Sequence, residues 1–495
     1  MKRRYLIAIA VLGIILVILA LAISEWNKSG PVKYDRDTVK RIAQKLKEKR
    51  DGGYDTLEAE YYLLSAMYYH KRGKDDIASE FLGKTISSLE NSGLLPTLPE
   101  REWKVSDFVR IDRVPTFEDV VPVGSVFVMT DKGYLAYPRG DRYWKLSCFI
   151  MVAVGQLEDG SEFLYQGRLP LMPEEGTFRP RVYIDGKWVL PDMVFAGPIY
   201  VDQGRKFGLP TIYQYDLSGR YMQLLSYDER GRTWIHKIED IESNTTLLYL
   251  RVEGEGIPMW LGDWNGSMII HGVYPKKKDL DLWAGFWDVG RMEGFVKYGG
   301  KKMNVKGFFV FDRASHRTYL APEKRSIGAP LAFSCIVIYQ DDLCTMITNT
   351  ENPSPFQSEH GFEHQIRINF LSTNESVFTT DFKFEDDGKL QPSELRVWGK
   401  FKDGWFNLTG HVVEFWPERW VVGRGTWWQE DGLFSWGRSF SKWTGEVIIN
   451  GSVIEVNAWG VGEFTRYGLK GKPSSCESGS CWGKWGSSSW EEGKP

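Results

Sequence analysis

The chain has 495 residues, enough for two or three domains with real apolar cores. Its formal net charge is -3 at pH 7, which excludes the basic excess that a nucleic-acid partner would demand. Aromatic residues make up 14% of it, with 21 Trp, a composition that suits strands and concave ligand sites and equally suits ordinary β cores.

Lys2-Arg3-Arg4 stands ahead of eighteen uncharged residues, Leu6 to Ile23. That run is long enough to cross a hydrocarbon core as a helix, and the basic cluster before it keeps the N-terminus cytoplasmic. Residues 1–24 therefore read as a transmembrane signal anchor in a cell membrane, with the body extracytoplasmic. Ala20-Leu21-Ala22 offers a cleavage site and hence a signal peptide instead, but signal cores usually run ~7–15 residues. Both readings export the body. Six of the twelve Asn open Asn-X-Ser/Thr sequons: Asn27, Asn244, Asn265, Asn374, Asn407 and Asn450. They are expected on surface loops of an exported protein, with the last five as glycosylation sites of the body.

Residues 25–36 form a polar linker, and 37–93 a small helical segment. Asp37 is placed to cap a helix carrying Val39, Ile42, Ala43 and Leu46 on one face. Gly52-Gly53 ends it, Asp55 or Thr56 starts a second helix, and Gly73 breaks before a third. Residues 56–91 resemble one tetratricopeptide-like hairpin, which cannot bury its own face and should pack on its neighbours.

From about residue 100 the pattern turns to β. Short apolar runs such as Trp144–Val154, Phe163–Leu171, Tyr221–Ser226 and Gln365–Leu371 alternate with turn dipeptides such as Asp185-Gly186 and Asn450-Gly451. Antiparallel sandwiches or barrels follow from that punctuation. Glu293 to Asp312 reads as a hairpin with two short arms joined at Gly299-Gly300. The pattern returns 151 residues later, so that Gly294 falls on Gly445, Gly300 on Gly451 and Asp312 on Glu463. The repeat predicts two copies of one β-domain, at 94–325 and 326–470, ahead of a disordered Ser/Gly/Trp-rich tail at 471–495. After export, Cys476 with Cys481 or Cys335 with Cys344 could bridge, whereas Cys148 reads as a buried apolar residue.

Chemistry is sparser. His360-Gly-Phe-Glu363-His364 matches an H-x-x-E-H zinc pattern, but that pattern needs a helix, and here a strand follows at once. No metal site and no cofactor are expected. The segment Gly307 to His316, with Trp283 and Trp287 upstream, resembles the AttH-like family of double lipocalin-type proteins, which includes carotenoid hydratase (hydroxyneurosporene synthase). The likeness covers roughly residues 115–468; His316 stands four residues after Asp312 instead of next to it, and the family's following Trp-Gly is absent. The resemblance implies two lipocalin-like barrels and, where chemistry persists, hydration or cyclisation of an isoprenoid double bond with Asp312 as general acid. Trp283, Trp287 and Tyr319 are then candidates for the aromatic wall, while Trp427 and Trp436, in the Trp-rich stretch that starts at Trp398, are candidates for lining an apolar cavity or stacking on sugars.

Three functions remain open at this stage. One is a membrane-anchored binder of an apolar isoprenoid or lipid, another is a hydratase or cyclase, and the third is a cell-surface module binding glycan or protein through Trp. Strand parity weighs against Asp312: it shares a face with Lys302, Asn304 and Lys306, so a regular strand with its apolar face inward leaves it outside.

Overall fold

The computed structural model describes residues 32–97, 111–139, 144–171, 176–264, 269–274, 279–318, 332–351, 364–387, 389, 391–426 and 429–468. The N-terminal apolar run lies outside them, and among the described residues no helix is long and apolar enough to cross a membrane. The chain divides into two compact units, Met1–Leu94 and Leu95–Pro495.

The first unit contains α1 (Arg36–Asp51), α2 (Leu57–His70) and α3 (Asp75–Glu90). Asp35, not Asp37, caps α1: its Oδ1 accepts from the amides of Asp37 and Thr38 at 3.0 and 2.9 Å. Asp37 falls in the first turn, where its charge meets the positive end of the helix dipole. Leu63 and Ala66 of α2, Leu82 and Leu89 of α3, and Ile42 and Leu46 of α1 share one core, so α1 covers the face that the α2–α3 hairpin cannot bury alone.

The second unit is mainly β. After α4 (Phe117–Val120) come a ribbon of β1 (Val128–Met129) and β2 (Leu135–Ala136), and then the first large sheet. Its strands are β3 (Trp144–Leu157), β4 (Glu162–Arg168), β5 (Arg181–Ile184), β6 (Lys187–Trp188), β7 (Tyr200–Gln203), β8 (Pro210–Tyr215), β9 (Tyr221–Asp228), β10 (Thr233–Asp240), β11 (Thr245–Gly254), β12 (Met259–Gly262), β13 (Ile269–Tyr274), β14 (Asp279–Tyr298) and β15 (Lys301–Thr318). The second sheet contains β16 (Ala332–Gln340), β17 (Leu343–Glu351), β18 (His364–Phe370), β19 (Glu375–Thr379), β20 (Phe382–Asp386), β21 (Glu394–Phe401), β22 (Gly404–Thr426), β23 (Gln429–Ile449) and β24 (Ser452–Gly468).

Both sheets are built alike. The opening strand pairs with the closing one (β3 with β15, β16 with β24), and a long hairpin, β14–β15 or β23–β24, lies at the centre. The arms are not short: β14 runs 20 residues and β15 runs 18. The turn chemistry follows the sequence, with φ of 58° and 77° at Gly299 and Gly300, and of 50° and 80° at Asn450 and Gly451. Two successive positive φ values make the primed turns whose twist suits flanking strands. The second sheet nearly closes, since its end strands β19 and β20 are consecutive and Thr379 Oγ1 donates to the carbonyl of Lys400 on β21 at 2.8 Å. A half-barrel beside a nearly closed barrel is the layout of a double lipocalin-like body.

Both interiors are packed where they are described. In the first, Phe309 and Phe311 of β15 are fully buried, and the Trp234 ring lies 4.6 Å from Phe311. In the second, Ile336, Ile366, Val397, Phe406 and Trp443 form the core. A third apolar layer lies between the sheets and joins Val152, Phe308 and Val310 of the first to Val337, Met346, Trp416 and Phe440 of the second. The strands β3 and β15 are therefore buried on both faces, as in a sheet covered on two sides.

Candidate functional site between the two sheets

Double burial resolves the parity of Asp312. It does share a face with Phe308 and Val310, as counting by twos requires, but this outer face of the first sheet lies against the second. Asp312 is only 5% exposed, and the expectation of a solvent-facing acid is corrected. No bulge interrupts β14–β15 pairing, so the covering sheet, not an irregular strand, buries it.

The cluster around Asp312 is assembled from both copies. Its cross-strand neighbour Trp287 donates Nε1–H to Oδ1 at 3.0 Å. Arg438, from β23 of the second sheet, reaches Oδ2 at 3.3 Å and also pairs with Glu463 on β24. By the 151-residue offset Glu463 is the repeat's counterpart of Asp312, and Arg438 that of Trp287. Each pair is directly opposed in its own sheet, Trp287 with Asp312 and Arg438 with Glu463. Arg313 points into the first barrel, where Nε donates to the carbonyl of Val120 at 2.7 Å and the guanidinium lies 4.3 Å from the Phe149 ring.

Burial raises the pKa of Asp312 above the ordinary carboxylate value, with Arg438 and then Trp287 opposing the rise and Arg168 adding a weaker pull. Cys335, opposite Glu463 in the sheet, has its thiol pushed well up by burial and by the two acids. Arg168 lies in the same cross-strand row of the first sheet, beyond Ile150, and donates towards Cys148 Sγ at 3.8 Å.

The matching row of the second sheet runs Gln365, Thr348, Cys335, Glu463, Arg438, Trp416. Gln365 and Thr348 have no measurable exposure, and Trp416 is nearly as deeply buried. Both amide heteroatoms of Gln365, Thr348 Oγ1 and Trp416 Nε1 find no hydrogen-bond partner among the described residues. Further along the same inter-sheet face, at the hairpin-turn end, a cleft of about 1400 Å³ is floored by Val154, Phe308, Tyr339 and Trp459.

Of the other sequence candidates, Trp287 joins Asp312 directly. Trp283 lies on β14 opposite His316, but the side chains of Trp283, His316 and Trp436 lie outside what is described, as do Tyr319 and Trp427 entirely. Asn244, Asn374 and Asn450 occupy exposed turns with φ of 48°, 56° and 50°, Asn265 lies outside the described residues, and Asn407 sits within β22 instead of on a loop. His364 is on a strand, where Nδ1 meets Asn349 Oδ1 at 2.8 Å and Nε2 the carbonyl of Phe382 at 2.9 Å; His360 and Glu363 lie outside the described residues. Cys335 and Cys344 do not bridge: they are opposed to Thr348 and Tyr339, not to each other, and both are free thiols. Cys476 and Cys481 lie outside the described residues.

No family model matches the sequence, and no curated protein does. Among solved structures, an AttH protein of Nitrosomonas europaea is similar at 10% identity over 65% of this chain and 92% of its own, with a TM-score of 0.34. CghA in complex with Sch210972 matches at 11% identity over 65% of this chain and 88% of its own, with a TM-score of 0.36. Kievitone hydratase of Nectria haematococca matches at 10% identity over 64% and 88%, with a TM-score of 0.32. Likeness at this level carries no activity across, and the two-sheet architecture stands on its own strand pairings.

Arg438 is the main residue that sequence reasoning missed, and a signal for it existed. Extending the repeat upstream of the hairpin aligns Trp287 with Arg438. Gln365 and Thr348 left no such signal, because polar residues alternating with apolar ones on a strand normally face water.

Proposed function

We propose that this chain is a membrane-anchored, extracytoplasmic protein that holds an apolar small molecule, an isoprenoid or lipid, between its two sheets. The observation that carries the reading is the row of buried, unpartnered polar atoms on Gln365, Thr348 and Trp416, facing the same apolar layer as Asp312. Buried polar groups in native proteins are nearly always satisfied, so such a row points to a bound molecule or water carrying its own polar groups. The cleft at the hairpin-turn end opens on this face, with Phe308 on its floor four residues from Asp312 along β15. The anchor rests on Leu6 to Ile23.

Asp312 is the group best suited to chemistry on such a ligand. Trp287 and Arg438 each engage one of its oxygens and leave further lone pairs available. A carboxyl whose pKa is raised by burial can give its proton to an alkene, and the faces of Trp287 and Trp416 can stabilise the cation that forms. Water then adds to that cation and returns a proton to the carboxylate, which is the hydratase arm of the proposal.

Native mass spectrometry of the full chain, purified in mild detergent from its own cells, tests the binding arm. A co-purifying apolar mass is expected; an empty protein that also takes up no isoprenoid or fatty-acid probe would overturn the reading. Asp312→Asn should keep the ligand and abolish any turnover of isoprenoid alkenes, whereas wild type without turnover leaves a binder only.

A further inference from the structure

We propose that the outer face of the second sheet carries a binding platform for neutral oligosaccharides, built on Trp398 and Trp405. On the antiparallel pair β21–β22, Trp398 is opposite Asn407 and Lys400 is opposite Trp405. The two indoles are therefore diagonal neighbours on one face, within reach of a single ligand. The intervening residues Val397, Phe406 and Leu408 point the other way, into the barrel core. That core is complete without the two indoles, and Trp405 remains 37% exposed. A concavity of about 410 Å³ lies over them, with Asn407 in its lining.

The surrounding groups match a sugar better than a purely apolar partner. The Arg396 guanidinium lies 4.8 Å from the Trp398 ring centroid and steadies that ring. Lys383 and Lys400 supply donors and Asp381 an acceptor around the same hollow. Asn407 Oδ1 is buried there and has no partner among the described residues. An oligosaccharide presents a flat C–H face suited to an indole, with hydroxyls at its rim for the flanking groups. The three cations Lys383, Arg396 and Lys400 are offset by Asp381, by Glu446 opposite Asn407 on β23 and by Glu385 opposite Arg396 on β20, so a neutral sugar is favoured over an acidic one. This platform is independent of the seam around Asp312.

Saturation-transfer NMR of the full chain in detergent, with cellotetraose, chitotetraose, maltotetraose and mannotetraose as probes, tests the proposal. At least one sugar should receive saturation, and Trp405→Ala should weaken its binding about tenfold or more. Trp398→Ala on the neighbouring strand should do the same, so that failure of either variant to fold leaves the other informative. Asp312→Asn should leave sugar binding unchanged. Silence from all four sugars, binding indifferent to both Trp variants, or binding confined to anionic oligosaccharides would overturn it. So would an intact mass showing a glycan on Asn407, which opens the sequon Asn407-Leu408-Thr409 and would fill the hollow with the chain's own sugar.

Discussion

Replacing Arg438 by Met is the most direct test of the inter-sheet cluster. Its guanidinium is the closest cation to Asp312 and also holds Glu463, and all three side chains lie in the buried seam. Met keeps most of the volume and removes the charge, leaving two carboxylates near Cys335 and Cys148, with Arg168 as the remaining cation among the described residues. Breaking a buried pair from one side costs about 3–5 kcal/mol when the abandoned partner stays charged. The pH dependence has a definite sign. Asp312 holds its proton more tightly folded than unfolded, so the stability it contributes is full below the unfolded value near 3.8 and declines as pH rises through the raised folded pKa. Removing Arg438 raises that folded pKa further and prolongs the decline, which deepens by about 1.4 kcal/mol for every pH unit over which it is extended. Thermal unfolding followed by near-ultraviolet circular dichroism at about pH 4.5 and about pH 8 measures this. The variant should melt several degrees below wild type at the higher pH and approach it at the lower. A deficit that does not change with pH would reduce the effect to lost packing, and no deficit at all would mean that the cluster does not hold the sheets together.

Two other perturbations address the scaffold. Inside the first barrel, Tyr165 OH lies 2.5 Å from His236 Nε2 while His236 Nδ1–H donates to the carbonyl of Leu224 at 2.8 Å, and burial lowers the His236 pKa to about 4. Because the unfolded chain binds the proton more tightly, about 3 kcal/mol of stability should be lost as pH falls from about 6.5 to 4; His236→Gln should flatten that segment of a stability–pH curve. In the opening hairpin Gly300 has φ 77° and open space around it, so Gly300→Val should cost about 1–2 kcal/mol through backbone strain alone and Gly300→Asn less, measured by thermal melts.

Much of the architecture was written in local chemistry. Asn450-Gly451 and Gly299-Gly300 declare primed turns by the φ they require, and the 151-residue echo declares the copy. Arm length was not legible, because β14 begins at Asp279 and β15 runs to Thr318, beyond the Glu293 and Asp312 that bound the repeated pattern. Burial of polar faces was not legible either. On β18, Gln365, Arg367 and Asn369 alternate with Ile366, Ile368 and Phe370, which reads as a solvated face against a core face. Yet Gln365, Arg367 and Asn369 are all buried, and Asn369 exchanges two hydrogen bonds with the backbone of Ile257 in the first sheet, at 3.0 and 3.1 Å. Alternation reports two faces but not what covers them. Asp312 was misplaced for the same reason.

The two copies have also diverged in how self-sufficient they are. Glu463 finds its cation one strand away in its own sheet, whereas the first sheet's cation in the corresponding row, Arg168, stands two strands from Asp312 with Ile150 between. Asp312 therefore borrows Arg438 from its sister. In this row the second sheet can pair its charges before the halves meet, and the first cannot. At this row docking has a direction: the second sheet lends a cation that the first cannot find within itself.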